Sequence, residues 1–163
     1  MRVLGIDPGT RATGWALVCR QGNRSRLESC GVVRPKGADH ATRLADLERR
    51  FSSLVSELTP DCAAVESGFT GRNPKSGLVL AESRGVLLAV LGRFAVPVHP
   101  YSPAQVKSAM VGYGTAEKKQ VAFMVVRLLG LADPPPSDAA DAAGVALTHI
   151  HSSTMASIRV QRS

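Results

Sequence analysis

The chain reads as an α/β protein: one mixed sheet with helices packed on it. Three observations predict this. Short apolar runs of strand character open the chain in succession. The hydrophobic period then changes to steps of three and four, and the last third is helical throughout. The length of 163 residues fits one core and is too short for two ordinary ones.

Residues 2–7 form a short apolar run closed by Pro8 and Gly9. Residues 13–20 and 25–33 follow as β-rich runs around a Gln21-Gly22-Asn23 turn, which gives an antiparallel meander. Over residues 41–58, Leu44, Leu47, Phe51, Leu54, Val55 and Leu58 recur at helical spacing, until Pro60 stops the helix. Residues 62–66 are an apolar run ending on an acid, hence a buried strand. A polar loop at 67–77 leads to a second helix over 78–94, and residues 96–100 read as a last strand. Ser102 is the expected cap of the next helix, with Pro103 in its first turn. Thr115 is expected to cap another, whose core face is Val121, Met124, Val125, Leu128 and Leu129. Three prolines at 134–136 break the chain, and Ser137 starts an alanine-rich helix running to about residue 149. One domain is expected over residues 1–151, with 152–163 a short polar, frayed tail.

The formal net charge is +7 and the pI near 9.9. Such a domain is steered toward polyanions. Anionic membrane surfaces compete as the partner, but no polybasic block sits beside an amphipathic anchor. The first residues enter a strand directly, without the pattern of a signal peptide. The longest apolar stretch, 86–91, is far too short to span a bilayer. A soluble cytoplasmic protein is expected, with Cys19, Cys30 and Cys62 as buried thiols in strands. His149 and His151 lack a third ligand at recognisable spacing and read as surface or helix-end residues.

Four acids stand where acids are costly or informative. Asp7 ends an apolar strand just before a Pro-Gly turn, a position where ligands gather in α/β sheets. A turn-forming Asp is the plain alternative, and a D-x-G-T turn also binds phosphate in actin-like ATPases. Those need two large lobes, which 163 residues cannot supply. Glu66 closes a second buried strand. Asp138 and Asp141 lie three apart on one helix face, where they also complement the helix dipole. Taken together, four carboxylates without a convergent His or Cys cluster describe a hard, oxygen-only cation site. A basic protein with such a site is expected to hydrolyse a nucleic-acid backbone. The loop carrying Phe69, Arg72 and Lys75 offers an aromatic and two cations for unpaired bases and phosphates. Lys107, Lys118 and Lys119 sit near helix starts and add phosphate contacts.

Four segments together resemble the bacterial RuvC family of Holliday junction resolvases. They are GIDPGTRATGWALV at 5–18, AVESGFTGRNPKSGLVLAESRGV at 64–86, VKSAMVGYGTAEKKQV at 106–121 and DAADAAGVALTH at 138–149. The resemblance implies an RNase H-like fold, with a mixed five-stranded sheet and helices on both faces. It implies a homodimeric endonuclease that nicks four-way DNA junctions symmetrically and works with a RuvA–RuvB branch-migration complex. The family's catalytic and metal-binding acids match Asp7, Glu66, Asp138 and Asp141. Its junction-contacting aromatic matches Phe69 and its lysines match Lys107 and Lys118, the latter with a catalytic role. Two Mg2+ per subunit are implied, with Mn2+ an acceptable substitute. The helix at 78–94 is apolar on more than one face, as a dimer requires. A non-catalytic junction binder and a nuclease acting on RNA or hybrids are the other readings. The retained acids weigh against the first, and the Phe69 loop and dimer-type helix against the second.

Overall fold

A computed structural model describes residues 1–67 and 74–160, with side chains to residue 153. Strands β1 (Arg2–Asp7), β2 (Thr13–Gln21) and β3 (Arg24–Val33) form the expected antiparallel meander. Gly22 turns the β2–β3 hairpin at φ 59°, a left-handed conformation in which a side chain would be strained. Helix α1 (His40–Leu58) leads into β4 (Cys62–Glu66), and α2 (Pro74–Arg93) into β5 (Val98–Tyr101). Both strands run parallel to β1, giving the order β3-β2-β1-β4-β5.

Alternation along the strands divides the core in two. Leu4, Ile6, Leu17, Ala63 and Val65 face one side and pack against Leu47, Phe51 and Val55 of α1 and Leu87, Val90 and Leu91 of α2. Val3, Ala16, Val18, Cys62 and Ala64 face the other side, beneath α3 (Pro103–Val111), α4 (Lys118–Leu129) and α5 (Ser137–Val160). Helices therefore cover both faces, as expected.

Helix α5 lies directly on the sheet backbone. A Cβ at Gly5 would stand 2.0 Å from the Ala142 carbonyl oxygen, and one at Gly14 would stand 1.9 Å from that of Asp138. Only hydrogen fits there. The alanines at 139, 140, 142, 143 and 146 keep the helix equally slim, and all are buried.

Local capping follows the sequence at two helices and departs from it at a third. Asp39 caps α1 through the Thr42 backbone N–H at 2.8 Å. Ser102 caps α3 in a reciprocal box with Gln105. At α4 the cap is Glu117 and not Thr115, because the Gln120 side chain accepts the Glu117 backbone N–H at 2.8 Å. Leu128, expected in the core, is 37% exposed, while Val121, Val125 and Leu129 are buried. Helix α5 also continues through Val160, so the segment read as a frayed tail is helical to that residue.

Candidate active site

Strand geometry brings the first two acids together. Asp7 ends β1 and Glu66 ends β4, one residue beyond the parallel-paired Ile6 and Val65. Because Ile6 and Val65 face α1 and α2, their successors face α5. The close seat of α5 on Gly5 and Gly14 then delivers Asp138 and Asp141 to the same sheet end.

Asp7, Glu66 and Asp141 line one cavity of about 340 Å³, with Pro103, Val106, Lys107, Lys118 and Val121. Lys118 Nζ lies 2.5 Å from Asp141 Oδ2. Asp138 stands at the margin, outside the cavity lining, with Arg34 3.9 Å away. A smaller cavity is lined by Asp7, Pro8, Glu66, Leu80 and Arg84. The Arg84 Nε is buried there without a hydrogen-bond partner among the described residues.

The acids perturb one another. Burial, then the Glu66 and Asp141 charges, push the Asp7 carboxyl up to about 7; Lys118 opposes this, and Asp138 adds to it. Burial first, then Asp141, also raises Glu66, against the pull of Lys118 and Lys107. Lys118 is held above its ordinary range, chiefly by its hydrogen bond to Asp141. Packed carboxylates of this kind repel each other until a cation joins them. The oxygen-only donors fit a hard divalent ion, and Asp7, Glu66 and Asp141, with Asp138 at the margin, are the residues that could hold one.

The other candidate residues separate. Lys75 lines a different groove with Thr10, Arg11, Pro35, His40 and Arg43. Lys119 borders a third, beside Phe123 and Met124. Phe69 and Arg72 lie outside the described residues. Sequence reasoning missed the Lys118–Asp141 pair and Arg84, since neither has a local signal. It also misplaced His149, which is 7% exposed and stacks on His99 with ring centroids 4.2 Å apart. The continuation of α5 past this residue, and the approach of β5, enclose it.

The sheet order, with acids closing the adjacent strands β1 and β4 and a third element bringing acids over them, defines an RNase H-like protein. The family model of crossover junction endodeoxyribonuclease RuvC matches residues 3–149. The protein of that name from Syntrophomonas wolfei subsp. wolfei is 45% identical over 159 residues, covering 96% of this chain and 92% of the relative. The Thermus thermophilus RuvC structure is 34% identical with a TM-score of 0.87, covering 96% of this chain and 97% of that one. T. thermophilus RuvC in complex with Holliday junction substrate is 32% identical with a TM-score of 0.85, covering 95% and 96%. The chain belongs to the RuvC family of crossover junction endodeoxyribonucleases.

Proposed function

We propose that this chain resolves four-way DNA junctions in recombination and repair by paired, metal-dependent hydrolysis of phosphodiester bonds. The carrying observation is the cavity in which Asp7, Glu66 and Asp141 meet Lys107 and Lys118. Membership of the family implies a divalent-metal-dependent nuclease. The finer assignment is two Mg2+ per subunit, replaceable by Mn2+, held by Asp7, Glu66, Asp138 and Asp141. When bound, such ions supply charge against the scissile phosphate and lower the pKa of the attacking water.

The chain's own residues prepare that site. Parallel pairing of β1 and β4 holds Asp7 and Glu66 side by side at the strand ends, which presents both carboxyls to a cation together. Lys107 and Lys118 attract the DNA backbone to the cavity. A phosphate competes with Asp141 for the Lys118 ammonium, which releases the carboxylate as DNA arrives. Phe69 is assigned as a junction contact on the family pattern, and Arg72, Lys75 and Lys119 as further phosphate contacts on their charge.

The unit that acts is residues 1–151, as a homodimer that places one site near each of two equivalent strands. Leu78 of α2, 62% exposed, supports a dimer surface on that helix. A RuvA–RuvB branch-migration complex is the assigned partner. No helix among the described residues is long and apolar enough to cross a membrane, and the assigned location is the cytoplasm.

The test is incubation with a synthetic four-way junction and a matched linear duplex, with and without Mg2+. Symmetric nicks in the junction alone, and only with metal, are expected. Metal-independent nicking, or equal cutting of the linear duplex, refutes the reading.

A further inference from the structure

Far from the acids along β4, a second cluster has a different chemistry. Cys62 begins β4, His99 lies on β5 and His149 on α5. The ligand atoms these residues offer all lie within 4.8 Å of one another. None of the three lines the cavity of Asp7, Glu66 and Asp141. Cys62 and His149 are buried, whereas His99 is partly exposed.

We propose that Cys62, His99 and His149 form a site for a borderline-soft divalent cation of the Zn2+ class, separate from the nuclease centre. The donor set is one thiol and two imidazoles, which suits such a cation and disfavours Mg2+. Metal–ligand bonds of about 2.0–2.3 Å set tetrahedral ligands roughly 3.5 Å apart. Closure therefore needs a contraction of at most roughly 1.3 Å. Because an imidazole coordinates in its ring plane, the partly exposed His99 ring must also swing out of its stack on His149, a side-chain rotation. The surroundings favour the ligand forms. Burial, then the neighbouring His99, lower the pKa of the His149 ring, which keeps it neutral. Tyr101 Oη hydrogen-bonds His149 Nδ1 at 2.9 Å. In the tautomer that carries its proton on Nδ1, this bond orients the ring and leaves Nε2 free to coordinate.

Burial raises the Cys62 thiol, so the free protein holds it protonated. Binding replaces the S–H bond by an S–metal bond and releases that proton to solvent. The occupied site joins β4, β5 and α5, and its effect is on stability. The fourth coordination position is left to water.

The experiment titrates the reduced, chelator-treated full chain with Co2+ in saturating Mg2+, so that the acid centre is already filled. One Co2+ per chain is expected to produce a near-ultraviolet thiolate-to-cobalt charge-transfer band, which Zn2+ then abolishes by displacement. The band is expected to be lost in Cys62→Ala and in His99→Ala, and kept in Asp7→Asn. His99→Ala guards against misfolding, since its side chain is partly exposed and its Mg2+-dependent junction cleavage is expected to be unchanged. Absence of the band in the wild-type chain overturns the proposal. So does an equal band in His99→Ala.

Discussion

Replacing Asp7 with Asn is expected to stabilise the metal-free protein near neutral pH while removing its cleavage. The magnitude follows from the carboxyl's displacement from 3.8 to about 7. Between those values the folded protein keeps the Asp7 proton and the unfolded chain has released it. For an acid raised on folding, stability therefore falls as pH rises through that window. At about 1.4 kcal/mol per pKa unit, the displaced Asp7 titration costs the fold at most about 4 kcal/mol at roughly pH 8 and about 2 kcal/mol at roughly pH 5. Asn has nearly the same shape and no charge. The stability difference between Asp7→Asn and wild type is thus expected to grow by about 2–3 kcal/mol from roughly pH 5 to roughly pH 8. In a chain of this length that is on the order of 5–10 °C in Tm. Urea unfolding in chelator at both pH values measures it. Adding Mg2+ is expected to raise the wild-type Tm and leave that of the variant little changed. Parallel pH–stability curves for the two proteins would refute the argument that Asp7 is strained by burial and neighbouring charge.

Three further outcomes are expected. Gly5→Ala forces a methyl against the Ala142 carbonyl, 2.0 Å away, and should cost about 3 kcal/mol in urea unfolding; an unchanged midpoint would show that α5 is not seated on the strand. Lys118→Met removes a cation that lowers both Asp7 and Glu66. The acidic limb of its pH–rate profile should move to higher pH, and the salt slope of junction binding should fall by about one; an unmoved profile would separate Lys118 from the acids. Asp39→Ala loses the α1 cap and should cost about 1 kcal/mol with cleavage intact; calorimetry beside a junction-nicking assay checks both halves.

Asp7 and Glu66 were legible because each ends an apolar run at a turn, where a strand must stop and an acid has a reason to be. Asp138 and Asp141 were legible as a helix pair, but only their distance from the sheet decides their part. That distance rests on Gly5 and Gly14, two glycines whose role is invisible until α5 lies over them. The structure grades the acids further: Asp141 enters the cavity and pairs with Lys118, whereas Asp138 stays at its edge near Arg34. At α4 the misreading has a local cause. Thr115 is the better cap by residue type, but Gln120 satisfies the Glu117 backbone instead. Leu128 fits the apolar period of its helix, but that period does not tell which of the apolar positions the core will cover, and Leu128 is left exposed.

By itself, the sequence determined the meander, both two-residue acid contributions and the family. Hydrophobic period, turn residues and motif order are properties of neighbours in the chain. Tertiary structure alone decided which cation faces which acid, that Lys75 and Lys119 open onto separate grooves, and that Cys62, His99 and His149 share one place. Those facts depend on segments far apart in sequence being pressed together, and no local pattern records which of their side chains will meet.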